Sequence, residues 1–382
     1  MQVVWFAEIK WDYLRTRKQQ LIERRPRDVD IVFFEPFVRG RENHYQLRDA
    51  DSVRVATVPF IKSAPGGPAR FLLDRALVRR GVDAAAVRRV RGHLRAAGVA
   101  RSECVFVISN VYAIGVAAAL APRALVYDCN DAHAEFPGMP AWTADYQRRT
   151  FCRADTVIVS SRGLIDAART ARGSDADIHL VGNGVDFALF NDPALTPPEI
   201  PPETVRVGYV GAIAPWFDFG LVAALAAKHP EWQIVLVGPV LAGAESDAAA
   251  LAAHRNVVLS GAIAHADVPA VLRRFTVGMI PFRHTPLTAG VNPNKLYEYL
   301  AAGLPTVATP FSPDVSAQPD VVALADGVEA FSASCRALTE ARRDPARRAA
   351  VSARAAAIAR EHDWDVIARR FWECVAMGAG SR

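Results

Sequence analysis

"NPNKLYEYLAAGLPTVATP", residues 292–310, reads as a short amphipathic helix, an AAGLP turn and a buried strand written without a break. A helix delivered into an apolar strand by a tight turn is the repeating half-unit of a doubly wound α/β sheet. The helix also carries Lys295, Glu298 and Tyr299 within five residues, and the two charges need a reason to be there.

The same alternation extends along the chain. Apolar, β-branched runs at VVWF (3–6), DIVFFEP (30–36), VRVATVPF (53–60), CVFVISN (104–110), ALVYDCND (124–131), TVIVSS (156–161) and IHLVGNG (178–184) are expected strands. The proline-rich DPALTPPEIPPE (192–203) interrupts the pattern and reads as a linker. The pattern resumes at VRVGYVG (205–211), QIVLVGP (233–239), NVVLSGAI (256–263), VGMIPF (277–282), PTVATP (305–310) and VVALAD (321–326). Continuous apolar runs between helices argue for parallel sheets covered on both faces. The expected organisation is α/β: two Rossmann-like doubly wound domains facing a central cleft. They span residues 1–190 and 204–360, joined by a linker at 191–203, with a final helix (361–382) packing back on the first domain.

At 382 residues the chain is long for one core, and two domains of under about 200 residues are the natural division. A content of 51% hydrophobic and 22% charged residues excludes bulk disorder. No apolar run approaches the roughly 20 residues of a membrane span. The amino terminus, MQVVWFAEIKWDYLRTRKQQ, lacks the basic-then-apolar layout of a signal peptide. Five cysteines without a CxxC pair suggest reduced thiols, hence a cytoplasmic setting. The net charge of +5 is modest, so its distribution matters more than its sum.

In open α/β sheets, ligands sit beyond the carboxyl ends of the strands, where helix N-termini offer N–H groups and partial positive charge. A dehydrogenase-type dinucleotide site needs GxGxxG after the first strand of a domain, and neither half has it. Lys295 falls in the first turn of its helix, with Asn292 and Pro293 suited to the N-cap and first position. A cation there suits a diphosphate leaving group. Glu298 lies on the same face; the plain alternative is a solvated Lys–Glu helix pair.

The tandem layout, VGNGVD at the end of the first half, and NPNKLYEYLAAGLPTVAT in the second resemble the GT-B-fold, nucleotide-sugar-dependent glycosyltransferases. The likeness is to bacterial enzymes of cell-surface polysaccharide assembly, teichuronic-acid-type and xanthan glucuronosyltransferase-type. It implies that Glu298 holds the ribose hydroxyls and Lys295 the diphosphate of a UDP-sugar donor. It further implies donor contacts from Gly211, Ala212 and Trp216 after the first strand of the second domain, from Gly261, Ile263 and Phe282, and from Asn292 and Tyr299. Trp216 and Asp218 have packing at a helix start as their alternative role. Many retaining members carry a second glutamate eight residues before the first. Here that position is Gly290, so inversion is expected.

An inverting transfer needs a group that takes the proton from the acceptor hydroxyl. In ALVYDCNDAHAEFPG, Asp131 corresponds by resemblance to the base of the xanthan-type relatives, with His133 second. The alternative is that Asp128 and Asp131 cap the next helix. No cofactor is expected, and the DxD sequences at 28–30 and 175–177 read as loop or capping acids rather than metal ligands.

Arginines 70, 75, 79, 80, 88, 89, 91 and 95, interleaved with apolar residues over 66–97, suit an anionic membrane surface. A solvated basic face is the alternative, and no nucleic-acid motif accompanies the run. Arg15, Arg17 and Lys18 are expected near the cleft, where an acceptor phosphate would sit. The expected protein is thus a cytoplasmic glycosyltransferase, peripheral on the inner face of the membrane, acting on a glycan or lipid-linked acceptor. The alternatives are a nucleotide-sugar epimerase of similar fold and a catalytically inert partner subunit.

Overall fold

A computed structural model describes residues 1–13, 15–50, 53–61, 68–195 and 205–380. The chain forms two compact units, Met1–Gly182 with Ile367–Arg382, and Asn183–Val366. The first contains β1 (Gln2–Phe6), β2 (Asp30–Pro36), β3 (Arg48–Ala50), β4 (Val53–Val58), β5 (Val105–Ile108), β6 (Ala124–Cys129), β7 (Thr156–Val159) and β8 (Ile178–Leu180), in the order β3-β4-β2-β1-β5-β6-β7-β8. All neighbours are parallel except β3 with β4. Every residue of β5, β6 and β7 is buried, because helices cover both faces, and an unbroken apolar run is what such a strand requires. Over β1, Trp5 stacks on Phe371 and donates its indole N–H to Ser109 at 2.9 Å, while Trp372 donates to the carbonyl of Leu21. Residues 367–380 therefore cover one face of the first sheet. The edge strand β3, polar and half-exposed, has no counterpart among the expected strands.

The second unit contains β9 (Arg206–Val210), β10 (Gln233–Val237), β11 (Val257–Leu259), β12 (Val277–Ile280), β13 (Thr306–Ala308) and β14 (Val322–Leu324), all parallel, in the order β11-β10-β9-β12-β13-β14. Strand order reverses between β9 and β12, the switch point at which such sheets bind ligands. In the first unit it reverses between β1 and β5.

Two sequence expectations need correction. The units divide at Gly182/Asn183, earlier than the expected boundary. Phe190 is fully buried in the second core, Asn191 donates to the carbonyl of Ala301, and Arg273 donates to those of Phe190 and Asp192, so this segment folds with the second unit. The linker prolines from 196 onward lie outside the described residues. Strands are also shorter at their carboxyl ends than the apolar runs suggest: β11 stops at Leu259 and β6 at Cys129. The overrun residues form the loops that carry the polar groups described next.

Candidate active site

In the second unit, β9 ends at Val210 because Gly211 turns away with φ of +140°, a conformation open to glycine. Its closeness to its surroundings is the second reason for glycine. A Cβ at Gly211 would stand 3.0 Å from Lys295 Cε and 3.2 Å from Nζ, so the lysine lies directly against bare backbone. Gly238, after β10, has φ of +146°, and a Cβ there would meet the Gly211 carbonyl oxygen at 2.0 Å. The Lys295 ammonium also lies over two rings, 5.1 Å from the centre of Tyr209 and 4.6 Å from that of Phe282. Gly211 follows β9 and Phe282 follows β12, so the cation stands at the switch point. Among the described residues no carboxylate comes within 4 Å of it. Burial beside the rings lowers its pKa to about 8, against the pull of the Glu298 carboxylate.

Glu298, one turn along the helix Asn294–Ala301, is mostly buried, and its Oε1 lies 3.5 Å from His265 Nε2. The Tyr209 hydroxyl donates to the carbonyl of Ala212 at 2.7 Å and fixes that loop under the lysine. Gly211, Ala212, Phe282, Lys295 and Glu298 are thus brought together. Tyr209 and His265 join them unforeseen; Tyr209 is hidden in an apolar strand and His265 opens a single 3₁₀ turn, His265–Asp267, with no motif.

Other expected donor residues are placed differently. Asn292 does not cap the helix: Pro293 is the N-cap residue, and the Asn292 amide turns inward. It donates to Tyr297 Oη and Asp314 Oδ1, both at 3.0 Å, and its carbonyl accepts from Asn183. Tyr299 is fully buried, and its hydroxyl accepts the Val210 N–H at 2.8 Å, so it ties the helix to the end of β9 rather than facing a ligand. Asp218 caps the helix Phe219–Lys228 by accepting from Leu221 N. Trp216 is half-buried against the core, and its carbonyl accepts from Arg283 N. Gly261, with φ of +71°, accepts from Gly238 N through its carbonyl, and Ile263 is exposed.

In the first unit the loops after β1 and β6 carry a second cluster. Asp131 accepts from Asn130 Nδ2 at 3.1 Å, and its backbone carbonyl accepts from His133 N and Gln147 Nε2, so the loop is held on itself. Burial pushes the Asp131 carboxyl up to about 7; Lys18 opposes this, while Glu8 and Asp128 add to it. Burial also lowers His133 to about 4, which keeps the imidazole neutral at neutral pH. Glu8 Oε2, Asp128 Oδ2, Asn130 Oδ1 and His133 Nε2 are buried and take no hydrogen bond from the described residues. Unsatisfied buried polar atoms are uncommon, and four in one place mark a site built to receive polar groups.

The expected acceptor-phosphate cations are otherwise engaged. Arg17 is buried, pairs with Asp128 at 3.1 Å and donates to the carbonyls of Val181 and Gly182. Lys18 is buried and pairs with Glu8 at 2.5 Å, and Arg15 pairs with Glu23. Compensated and enclosed, Arg17 and Lys18 organise carboxylates instead of offering charge to an anion. Asp128 and Asp131 cap no helix. Among the described residues no group of three or more His, Cys, Asp or Glu side chains is placed to hold a metal ion, and no helix is long and apolar enough to cross a membrane.

These features define a protein of the GT-B fold whose second unit, over residues 204–341, matches the family "Glycosyl transferases group 1". The chain is 30% identical over 200 residues to the putative teichuronic acid biosynthesis glycosyltransferase TuaH of Bacillus subtilis (strain 168). That match covers 48% of this chain and 50% of the relative, so the likeness spans about half of either protein. In three dimensions the chain is similar to Anabaena HepE, solved in complex with UDP and glucose, at 18% identity and a TM-score of 0.68 over 98% of this chain and 99% of that one. It is also similar to sucrose-phosphate synthase of Thermosynechococcus elongatus, at 15% identity and a TM-score of 0.74 over 98% of both chains. The comparisons favour neither an epimerase nor an inert subunit.

Proposed function

We propose that the protein is an inverting glycosyltransferase that moves a sugar from a UDP-sugar to a hydroxyl of a glycan or lipid-linked acceptor in exopolysaccharide assembly. The observation that carries this reading is Lys295: a half-buried cation, unpaired by any carboxylate among the described residues, set against bare glycine backbone at the switch point of the second sheet. Such a site favours an anion and leaves room for it. In the proposed reaction the acceptor oxygen attacks the anomeric carbon and its proton passes to the Asp131 carboxylate. The bond from that carbon to the phosphate oxygen breaks, its electron pair leaves with the diphosphate, and the Lys295 ammonium balances the new charge. Glu298 accepts hydrogen bonds from the ribose hydroxyls. His133, neutral at working pH, orients the acceptor hydroxyl. Gly290 leaves no carboxylate where a retaining pattern would place one. The expected acceptor lies at the inner face of the cytoplasmic membrane, a setting supported by Phe71, Leu72 and Leu77, exposed among the arginines of the helices Pro68–Leu73 and Ala76–Ala96.

Calorimetric titration with UDP tests the donor half. Wild-type protein binds, and Lys295→Met binds at least about tenfold more weakly. Equal affinity in the two proteins would remove the basis of the assignment. Turnover of a UDP-sugar panel, with and without a glycan acceptor, then separates transfer from epimerisation.

A further inference from the structure

The basic run does not fold as a uniform stripe. Arg80, Arg88, Arg91 and Arg95 line one side of a cavity of about 600 Å³ between the helices Ala76–Ala96 and Ile114–Leu120. None of the four forms an ion pair among the described residues; Arg91 alone donates a hydrogen bond, to the Ala119 carbonyl at 3.3 Å. The acid in the groove, Asp83, is flanked by Arg79 and Arg149, which do not line it and which favour its ionised form against burial. The charge of the four lining arginines is therefore left uncompensated. Asp83 is packed against Gly115, where a Cβ would meet its Oδ2 at 2.3 Å, and its buried Oδ1 takes no hydrogen bond from the described residues. Gly92 keeps the groove open, since nothing lies within 4 Å of where its Cβ would be. On the adjoining first turn and the preceding helix, Leu77, Phe71 and Leu72 are 77%, 64% and 53% exposed. Cations that converge on a hollow, next to apolar side chains turned to solvent, match the headgroup and acyl boundary of a charged bilayer.

We propose that the groove between helices Ala76–Ala96 and Ile114–Leu120 is a slot for the headgroup phosphate of an anionic membrane lipid, with Phe71, Leu72 and Leu77 entering the surrounding interface. The inference rests on the membrane setting proposed above and narrows it from a charged face to a bounded site.

The test is sedimentation of the full chain with vesicles of phosphatidylcholine containing about one third phosphatidylglycerol, near 0.1 M salt, alongside pure phosphatidylcholine. The wild type is expected to bind the anionic vesicles alone. Arg88→Gln with Arg95→Gln weakens this at least about tenfold. Arg347→Gln with Arg348→Gln, which removes the same charge from the exposed helix Pro345–Glu361 of the second unit, leaves it unchanged. Gly92→Gln alters no charge, favours the helix and fills the groove; it is expected to match the Arg88/Arg95 variant. Equal loss in the two double variants, or full binding by Gly92→Gln, overturns the slot in favour of diffuse attraction. Tighter binding to homopolymeric RNA than to vesicles overturns the lipid assignment, as does a wild type that ignores the anionic vesicles. UDP affinity measured on the same preparations keeps the readings apart: lost vesicle binding with UDP affinity intact strikes the membrane site and spares the donor site.

Discussion

The carboxyl ends of the two sheets share one topology and were put to opposite electrostatic use. In the second unit β9 and β10 run straight into glycines, Gly211 leaves bare backbone beside Lys295, and among the described residues no carboxylate comes within 4 Å of that cation. In the first unit the loops are crowded with charge, yet the cations Arg17 and Lys18 are each matched by an acid. What is left over there is a carboxyl near neutrality and a neutral imidazole. A bare backbone with a spare positive charge favours an anion. A compensated charge network with a poised acid and base is suited to moving a proton. The difference arises from residue choice at a few loop positions, with the scaffold held constant.

Substitutions that remove one side of this contrast should behave differently, and the largest effect belongs to Asp131. Asp131→Asn is expected to lower kcat about a thousandfold while leaving UDP affinity intact. It should also raise the thermal midpoint by a few degrees above pH 7. The sign follows from the folded pKa, raised from 3.8 to about 7. Stability from the neutral form is complete below pH 3.8 and is lost as pH rises to 7, so the gap between variant and wild type opens across that window. Melting curves that coincide at pH 5 and pH 8 would contradict it. Glu298→Gln is expected to weaken UDP by about tenfold and leave inorganic pyrophosphate affinity unchanged, which competition titrations resolve. A bound diphosphate should hold Lys295 charged. At pH 8, near its lowered pKa, UDP binding should then take up about half a proton, and below pH 6.5 almost none. Calorimetry in two buffers of different ionisation enthalpy measures this. The smallest effect belongs to Lys18→Met: loss of that cation raises the Asp131 pKa further, so the acidic limb of the rate profile moves to higher pH by about one unit or less.

The contrast was partly written in the sequence. Thirteen of the strands were visible as apolar runs because parallel strands buried on both faces need unbroken hydrophobicity. The edge strand Arg48–Ala50 was not, being short, polar and half-exposed. Lys295 and Gly211 could be found from their places relative to a helix start and a strand end. Their proximity to Tyr209 and Phe282 could not, because it depends on how separate loops converge. Asn292 misled: an Asn-Pro pair before a helix suggests a cap, but the helix begins two residues later and the amide is spent on Tyr297 and Asp314. Arg17 and Lys18 misled for a related reason, since a basic pair says nothing of the acids that distant strands bring beside it. Charge was legible; its compensation was not.

The collision that any Cβ at Gly238 would make with the Gly211 carbonyl has a consequence for mutational libraries. Saturation at that codon should return glycine alone under selection for folding and under selection for turnover, so its intolerance reports architecture. Gly261 shares the left-handed backbone but opens onto empty space. Asparagine and aspartate should survive there whenever only folding is demanded, and their disappearance under selection for turnover would expose a contact that belongs to catalysis.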